Sequence, residues 1–431
     1  MWTTFLIFGG LFHSANSAHA DTLAGIDRLA QDCIGITEAD AIAGDTPNMP
    51  ALKIAIAGAG VGGMAAAIAL QTQGHNVTVL EQAPAFGRIG ADVNLTPNAV
   101  HAIDGLGKGV GDRLRETAAR PEFRMSRMWD TGEITSKLPM SSAAEAKYGA
   151  PQLTIHRADL LSSLEAALAP GTIRFGVRVT GAGTIGEKAV LHLADGGAIE
   201  ADAVIGADGI HSPVRTAIFG PDKPRYTGLV SWRAVIPRDK VAELPNLDSF
   251  VKWWGPEPDR QVVVFPLTHG KEIFIFATTP RQDWTDEGWT LPGDIAELRA
   301  AYTDFHPEAR ALLDACTEVT RSALHVREPM ERWSNGGVTL LGDAAHPMVP
   351  FMAQGACMAI EDAVVLARAL ETADQAGIAA ALTSYEDARR DRTAAVQRGS
   401  LANDWLKEGG NADWVYGYHA WTAPLGQPAP R

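Results

Sequence analysis

The sequence of 431 residues has no basic excess: 37 Lys and Arg stand against 51 Asp and Glu, a formal net charge of -14. Nucleic acid is therefore not expected as a partner, because binding it means displacing counterions with cationic side chains. Cysteine is scarce. Cys33, Cys316 and Cys357 are the only three, and their spacing suits neither a disulfide framework nor a metal site, so reduced thiols and no metal are expected. Beyond the N-terminus no apolar run reaches the roughly 18 uninterrupted residues of a membrane span. Charged residues amount to 20%, under the usual quarter, and with 46% apolar residues the chain can bury a large core, which argues against disorder. Internal repeats and low-complexity tracts are also absent.

The N-terminus lacks what its neighbouring pattern calls for. "TTFLIFGGLF" followed by "SAHA" resembles a secretory signal and its cleavage site. Yet no Lys or Arg precedes it; the first basic residue is Arg28. Residues 1–48 are read as an N-terminal extension, signal-like or arising from a misplaced start, with the functional chain beginning at Met49 and residing in the cytoplasm.

From Lys53 the patterns become regular. "LKIAIAGAGVGGMAAAIALQTQG" reads as a buried strand, a glycine turn and an Ala-rich helix, and "NVTVLEQ" as a second strand, which together open a βαβ unit. A strand and helix follow in "PQLTIHRADLLSSLEAALAPG", then several strands ending in "AVIGADG". Between Tyr226 and Pro280 the pattern changes to alternating, aromatic-rich strands, which predicts an antiparallel sheet in a different layer. "GGVTLLGDAAH" is another buried strand ending in an acid, and helices fill 355–405.

Three motifs carry chemistry. Gly58-x-Gly60-x-x-Gly63 lies between a strand and a helix, where glycines allow a tight turn, a close phosphate approach and close helix packing. Glu81, at the end of the second strand, is placed to accept hydrogen bonds from an adenosine ribose. A carboxylate there favours NAD or FAD over a 2′-phosphorylated nucleotide. The second motif is "GADG" at 206–209, with Asp208 at a strand end. The third runs from "GDAAHP" (342–347) to "QGACMAIEDA" (354–363), where a strand ends in Asp343 and a helix with a small-residue face starts near Gly355. Taken singly, the second and third motifs are equally compatible with an ordinary turn and an ordinary strand–loop–helix crossover.

Together, in this order, the three motifs resemble those of the flavoprotein aromatic hydroxylases, single-component FAD-dependent monooxygenases of the para-hydroxybenzoate hydroxylase fold. The resemblance extends from Lys53 to Tyr418. "LTIHRADL" (153–160), "VKWW" (251–254) and "NADWVYGY" (411–418) bring the sequence nearest to hydroxylases of pyridine carboxylates. The resemblance implies an α/β fold. A discontinuous Rossmann-like FAD-binding domain (49–125, 150–220 and 320–405) would carry an inserted, mainly antiparallel β-sheet substrate domain (126–149 and 221–319). C-terminal helices and a tail (406–431) would follow. It implies FAD as cofactor, held by Gly58, Gly60, Gly62, Gly63, Glu81, Gln82, Arg157, Asp208, Asp343, Gly355 and Ala356. Asp343 would bond the ribityl chain, Gly355 and Ala356 the pyrimidine edge, and Arg157 the ribose–phosphate region. NADH or NADPH would act as a transient reductant. The reaction implied is hydroxylation of a hydroxylated aromatic acid by O2 through a flavin C4a-hydroperoxide, decarboxylative or not, in a monomer or homodimer.

The substrate end departs from that pattern. The pyridine-carboxylate hydroxylases carry His, His and Tyr where this chain has Asn94, Gln261 and Phe265. Asn and Gln are not bases near neutral pH. His346, beside Pro347, is the remaining expected catalytic pair. Trp232, Trp253, Phe265 and Met352 are expected as pocket walls, and Arg233 as a carboxylate partner. Two alternatives stay open: a salicylate-type carbocyclic hydroxylase, and an FAD redox sensor that oxygenates nothing.

Overall fold

The strand Lys53–Ala57 is buried along nearly its whole length, as a continuous apolar run must be when both neighbours are parallel strands covered by helices. Those neighbours are Ala203–Gly206 and Asn76–Glu81. In the computed structural model, which describes residues 50–88, 92–285, 288, 290–407 and 410–426, they form the centre of a six-stranded sheet. Its order is Ser334–Asn335, Val338–Leu340, Ala203–Gly206, Lys53–Ala57, Asn76–Glu81 and Ile173–Phe175. Segments far apart in sequence interleave, so this α/β unit is discontinuous. The expected extension 1–48 lies outside the described residues, as does the end of the tail, 427–431.

The four adjacent strands 338–340, 203–206, 53–57 and 76–81 all run parallel. Their carboxyl ends therefore share one edge, and the chain leaves them at Asp343, Asp208, Gly58 and Glu81. In an open parallel sheet, that edge is where ligands collect. The helix Val61–Thr72 follows the glycine turn and is almost wholly buried. Its run of alanines lets it pack against both the sheet and the helix Gly355–Leu370.

A second, eight-stranded sheet has the order Leu291–Pro292, Thr320–Val326, Arg225–Pro237, Glu272–Pro280, Gln261–Leu267, Phe250–Trp254, Phe123–Met128 and Ile134–Pro139. Pairing is antiparallel except between Phe250–Trp254 and Phe123–Met128. Strand periodicity of two gives the sheet two different faces. On one, Trp232, Trp253, Val262, Val264 and Ile275 form a core with Leu298, Leu312 and Leu313 of the covering helices. The other faces a cavity. Two expected domain limits differ from the sheets: 125/126 falls inside the strand Phe123–Met128, and Thr320–Val326, assigned to the nucleotide domain, belongs to the eight-stranded sheet. Both strands, FRMSRM and TRSALHV, mix polar and apolar residues, and nothing local in such a pattern says which sheet it joins.

The helices Gly355–Leu370 and Ile378–Ala402 are clamped by fully buried ion pairs. Arg389 contacts Asp362 at 2.7 Å and Glu361 at 2.7 Å, and Arg392 contacts Glu361 at 2.8 Å. Burial by itself would raise both acids, yet the adjoining Arg389, with Arg392 on Glu361 and His346 on Asp362, holds them below the ordinary carboxylate range.

Candidate active site

One cavity of about 1190 Å³ joins the carboxyl edge of the parallel sheet to the free face of the eight-stranded sheet. Single small-ligand pockets run to about 300–1,000 Å³, so this one has room for a dinucleotide and a second ring.

At the nucleotide end, Gly58, Gly60, Gly62, Gly63, Glu81 and Gln82 all line the cavity. The glycines do different things. Gly58 has φ +100°, and a Cβ there would lie 2.4 Å from the Ala207 carbonyl oxygen. A Cβ at Gly63 would lie 2.1 Å from the Gly58 carbonyl oxygen, and one at Gly62 would lie 2.5 Å from Leu341 Cδ2. These three are required by the protein's own packing. Gly60 is not: a Cβ there would meet nothing within 4 Å. Its bare backbone faces open space. Glu81 braces the loop, accepting from the Ala59 N–H at 2.9 Å and the Ala83 N–H at 2.8 Å, with lone pairs left over.

Further along the same edge, Asp208 accepts from the Val214 N–H at 3.1 Å through Oδ2, while Oδ1 is buried and unpartnered. Burial pushes its carboxyl up to about 6. Asp343 opens onto the cavity, and enclosure by protein raises its carboxyl too, opposed by His346 and Arg157. Gly355 and Ala356 also line the cavity, at the start of a helix of 16 residues that no side chain caps. Free N–H groups and the positive end of the helix dipole thus face the space next to Asp343. Arg157 lines it as well, near Glu81 and Asp343, with burial lowering its guanidinium from the ordinary value. An open glycine approach, an unpartnered carboxylate oxygen and an uncapped helix start on one cavity edge fit FAD.

The substrate end has the eight-stranded sheet as its floor. Register aligns Arg233, Phe276, Val263 and Lys252 in one cross-strand row, with Arg233 and Lys252 at its two ends, about 14 Å apart at the backbone. A second row is aromatic. Phe274, Phe265 and Phe250 succeed one another at centroid distances of 5.0 Å and 5.2 Å, and Arg124 lies 4.9 Å over Phe250. The floor is thus a flat apolar platform between cations.

Those cations differ in their surroundings. Arg233 donates to Ser322 Oγ at 2.7 Å and feels Asp92, whose carboxyl burial lifts to about 6. Lys252 is 4% exposed, donates to Asn403 Oδ1 at 2.9 Å and sits 3.5 Å over Trp254. Burial first, then Arg124 and Lys407, drive its ammonium well below the ordinary lysine value. Arg124 donates to the Trp405 carbonyl at 3.1 Å. Sequence reading missed Asp92, Arg124 and Lys252. The alternation in "FVKWW" was the available signal: Lys252 must share a face with Phe250 and oppose Trp253.

Of the expected substrate residues, the structure brings Asn94, Arg233, Gln261 and Phe265 to the cavity. Five other expected residues lie elsewhere. Trp232 and Trp253 are on the opposite face of the sheet, inside the second core, and Trp232 Nε1 donates to Thr279 Oγ1 at 2.9 Å. Met352 is 2% exposed within the main core, while its neighbours Phe351 and Ala353 line the cavity. His346 also departs from expectation. It is 1% exposed and turned inward, with Nε2 2.5 Å from Asp362 Oδ2 and its ring packed 5.2 Å from Trp333. Asp362 accepts in addition from the Gly342 N–H at 3.1 Å. His346 and Asp362 thus fix the turn that carries Asp343, and His346 does not face a bound ring. Pro347 is buried and its carbonyl accepts from Gln397 at 3.1 Å, so it too is part of the support.

Comparison with known proteins agrees with this geometry. The FAD binding domain family matches residues 51–400. A 6-hydroxynicotinate 3-monooxygenase of Bordetella bronchiseptica is 41% identical, over 86% of this chain and 97% of its own length. A 3-hydroxybenzoate 6-hydroxylase of Polaromonas naphthalenivorans is 37% identical, over 81% and 86%. Among solved structures, a salicylate hydroxylase in complex with substrate superposes with a TM-score of 0.73 at 27% identity, covering 86% of this chain and 96% of that one.

Proposed function

The chain belongs to the FAD binding domain family and is a single-component, FAD-dependent monooxygenase of hydroxylated aromatic acids; from that premise we propose that its substrate is a hydroxypyridine carboxylate of the hydroxynicotinate or hydroxypicolinate type. The observation that carries this reading is the cavity itself, in which a dinucleotide cradle is continuous with an aromatic floor bounded by the cations Arg124, Arg233 and the buried Lys252. The similarity to a hydroxynicotinate monooxygenase over nearly the whole chain points the same way.

FAD, held by the glycine turn, Asp208, Asp343 and the helix start at Gly355, would supply the redox and oxygen chemistry, with NAD(P)H as reductant. The protein's share is to hold and to shield. Gly60 leaves the pyrophosphate its approach, and the start of the helix at Gly355 offers N–H groups where negative charge develops on the ring system. Asp343 and Asp208 supply acceptors for hydroxyl groups. The floor of Phe265, Phe274 and Phe276 stacks the substrate ring and excludes water. Lys252 and Arg124 give its carboxylate a positive site. None of Asn94, Gln261 and Phe265 can remove a proton, and His346 is turned away. The cytoplasm, with its pyridine nucleotide pool, suits the buried free thiols Cys316 and Cys357. Among the described residues no helix is long and apolar enough to cross a membrane.

The test is to purify the flavoprotein and follow NADH and NADPH oxidation with hydroxynicotinates, hydroxypicolinates and salicylate. Oxidation stimulated most by a hydroxypyridine carboxylate, with a hydroxylated product, is expected. Stimulation by salicylate alone would overturn the reading in favour of a carbocyclic hydroxylase.

A further inference from the structure

Gln261 is 1% exposed and lines the cavity, yet neither its Oε1 nor its Nε2 has a hydrogen-bond partner among the described residues. A buried donor and acceptor left unmade cost free energy that a complementary ligand returns. A carboxamide presents its donor and its acceptor side by side in one plane. The group that matches both at once is a cyclic amide, with a ring N–H next to a carbonyl oxygen. A hydroxypyridine whose hydroxyl adjoins the ring nitrogen has such an edge in its pyridone tautomer. A phenol has one oxygen there and no adjoining N–H, so it leaves half of Gln261 unmet.

Lys252 supplies the opposite anchor. Gln261 pairs with Trp254 and Lys252 with Val263 on adjacent strands, a diagonal separation of about 7–8 Å at the backbone, across which one substituted ring fits. The amine uses one donor on Asn403, others remain, and among the described residues it makes no carboxylate ion pair, Asp404 acting on it only through its field. Burial biases this amine toward its neutral form, and an anion beside it restores the ammonium, so the position beside the apolar platform selects a carboxylate.

We propose that Gln261 recognises the lactam edge of a pyridone carboxylate, donating from Nε2 to its carbonyl oxygen and accepting its ring N–H at Oε1, while Lys252 holds its carboxylate. This rests on the substrate reading above and narrows it to hydroxypyridine carboxylates that form a lactam.

The test uses the full-length, flavin-loaded protein without reductant, titrated while the flavin absorbance is followed. The probes are 6-hydroxynicotinate and 6-hydroxypicolinate, which form lactams, against 5-hydroxypicolinate, 4-hydroxybenzoate and 3-hydroxybenzoate, which do not. The lactam formers should bind at least about tenfold more tightly, the worth of one buried hydrogen bond. In Gln261→Leu, or in Gln261→Met where that variant loses flavin, the preference should fall to near one. Equal affinities in the unaltered protein, or a preference that survives both variants, would overturn the role of Gln261 and leave the monooxygenase reading standing. If none of the five compounds perturbs the flavin, the substrate reading itself fails and this inference with it.

Discussion

Gly60 separates folding from cofactor binding, and alanine there is the sharpest single change. Its backbone sits at φ -73° and ψ 179°, a conformation that alanine adopts freely. Because the added Cβ meets no protein atom within 4 Å, the apoprotein of Gly60→Ala should fold normally. It should gain about 0.4–1 kcal/mol by restricting the unfolded chain. The same methyl enters the cavity at the point where the pyrophosphate must meet the loop. Pushing the phosphates back weakens charge-assisted contacts to backbone N–H groups, worth roughly 1.5–3 kcal/mol each. The loss of one or two such contacts lowers FAD affinity by about tenfold to about twenty-thousandfold. Gly63→Ala is the control. Its Cβ would lie 2.1 Å from the Gly58 carbonyl oxygen, so the loop must move, and overpacking should cost about 1–3 kcal/mol in the apoprotein as well as flavin. The assay removes flavin, measures the denaturant midpoint of each apoprotein, then titrates FAD by quenching of its fluorescence. FAD binding by Gly60→Ala as tight as in the unaltered protein would refute the placement of the pyrophosphate.

Three further outcomes are expected. Lys252→Met removes a buried amine that makes no carboxylate ion pair among the described residues, so substrate-carboxylate affinity should fall by about tenfold to a hundredfold while the apoprotein loses no more than the one hydrogen bond to Asn403, read by ligand titration and denaturant midpoint. Asp208 has its carboxyl raised from 3.8 to about 6 by burial. Ionising it therefore costs stability, a cost absent below the unfolded value and fully present above about pH 6. Its contribution should make the apoprotein more stable as pH falls through this window, and Asp208→Asn should lose that part of the pH dependence in thermal melts. His346→Gln should lower stability and flavin retention because Asp362 and the Gly342 turn lose a partner, yet the holoenzyme that remains should show an unshifted pH–rate profile. A profile that loses a limb would make His346 a proton-transfer group after all.

The nucleotide half of the site was legible in sequence because it is built from backbone requirements. Glycines at a strand end, and acids at the ends of other strands, announce themselves where side chains must be missing or must accept. The substrate half is built from side chains on a sheet, and there the face decides. Trp232 and Arg233 are adjacent, so period-two alternation forbids both from lining one cavity; the large aromatic went to the core and the cation to the site. The same rule separates Trp253 from Lys252. His346 was misread for another reason. Its partner Asp362 lies on the next helix and Arg389 on the one after, and nothing local in "GDAAHP" reveals that the ring turns inward to meet them. Asn94 and Gln261 were legible only as substitutions at expected positions. Their unpartnered amide atoms, which give those positions chemical meaning, are visible only once the fold is assembled.

The central claim is that this cavity delivers an oxygen atom from O2 to a ring stacked on the eight-stranded sheet. Its most direct measurement supplies isotopically heavy O2 and NADH to the flavoprotein with 6-hydroxynicotinate and examines the product by mass spectrometry. The expected result is one heavy oxygen in the hydroxylated ring, with NADH and O2 consumed in step with product. NADH consumed with peroxide as the sole oxygen product, or a product whose new oxygen comes from water, would contradict it.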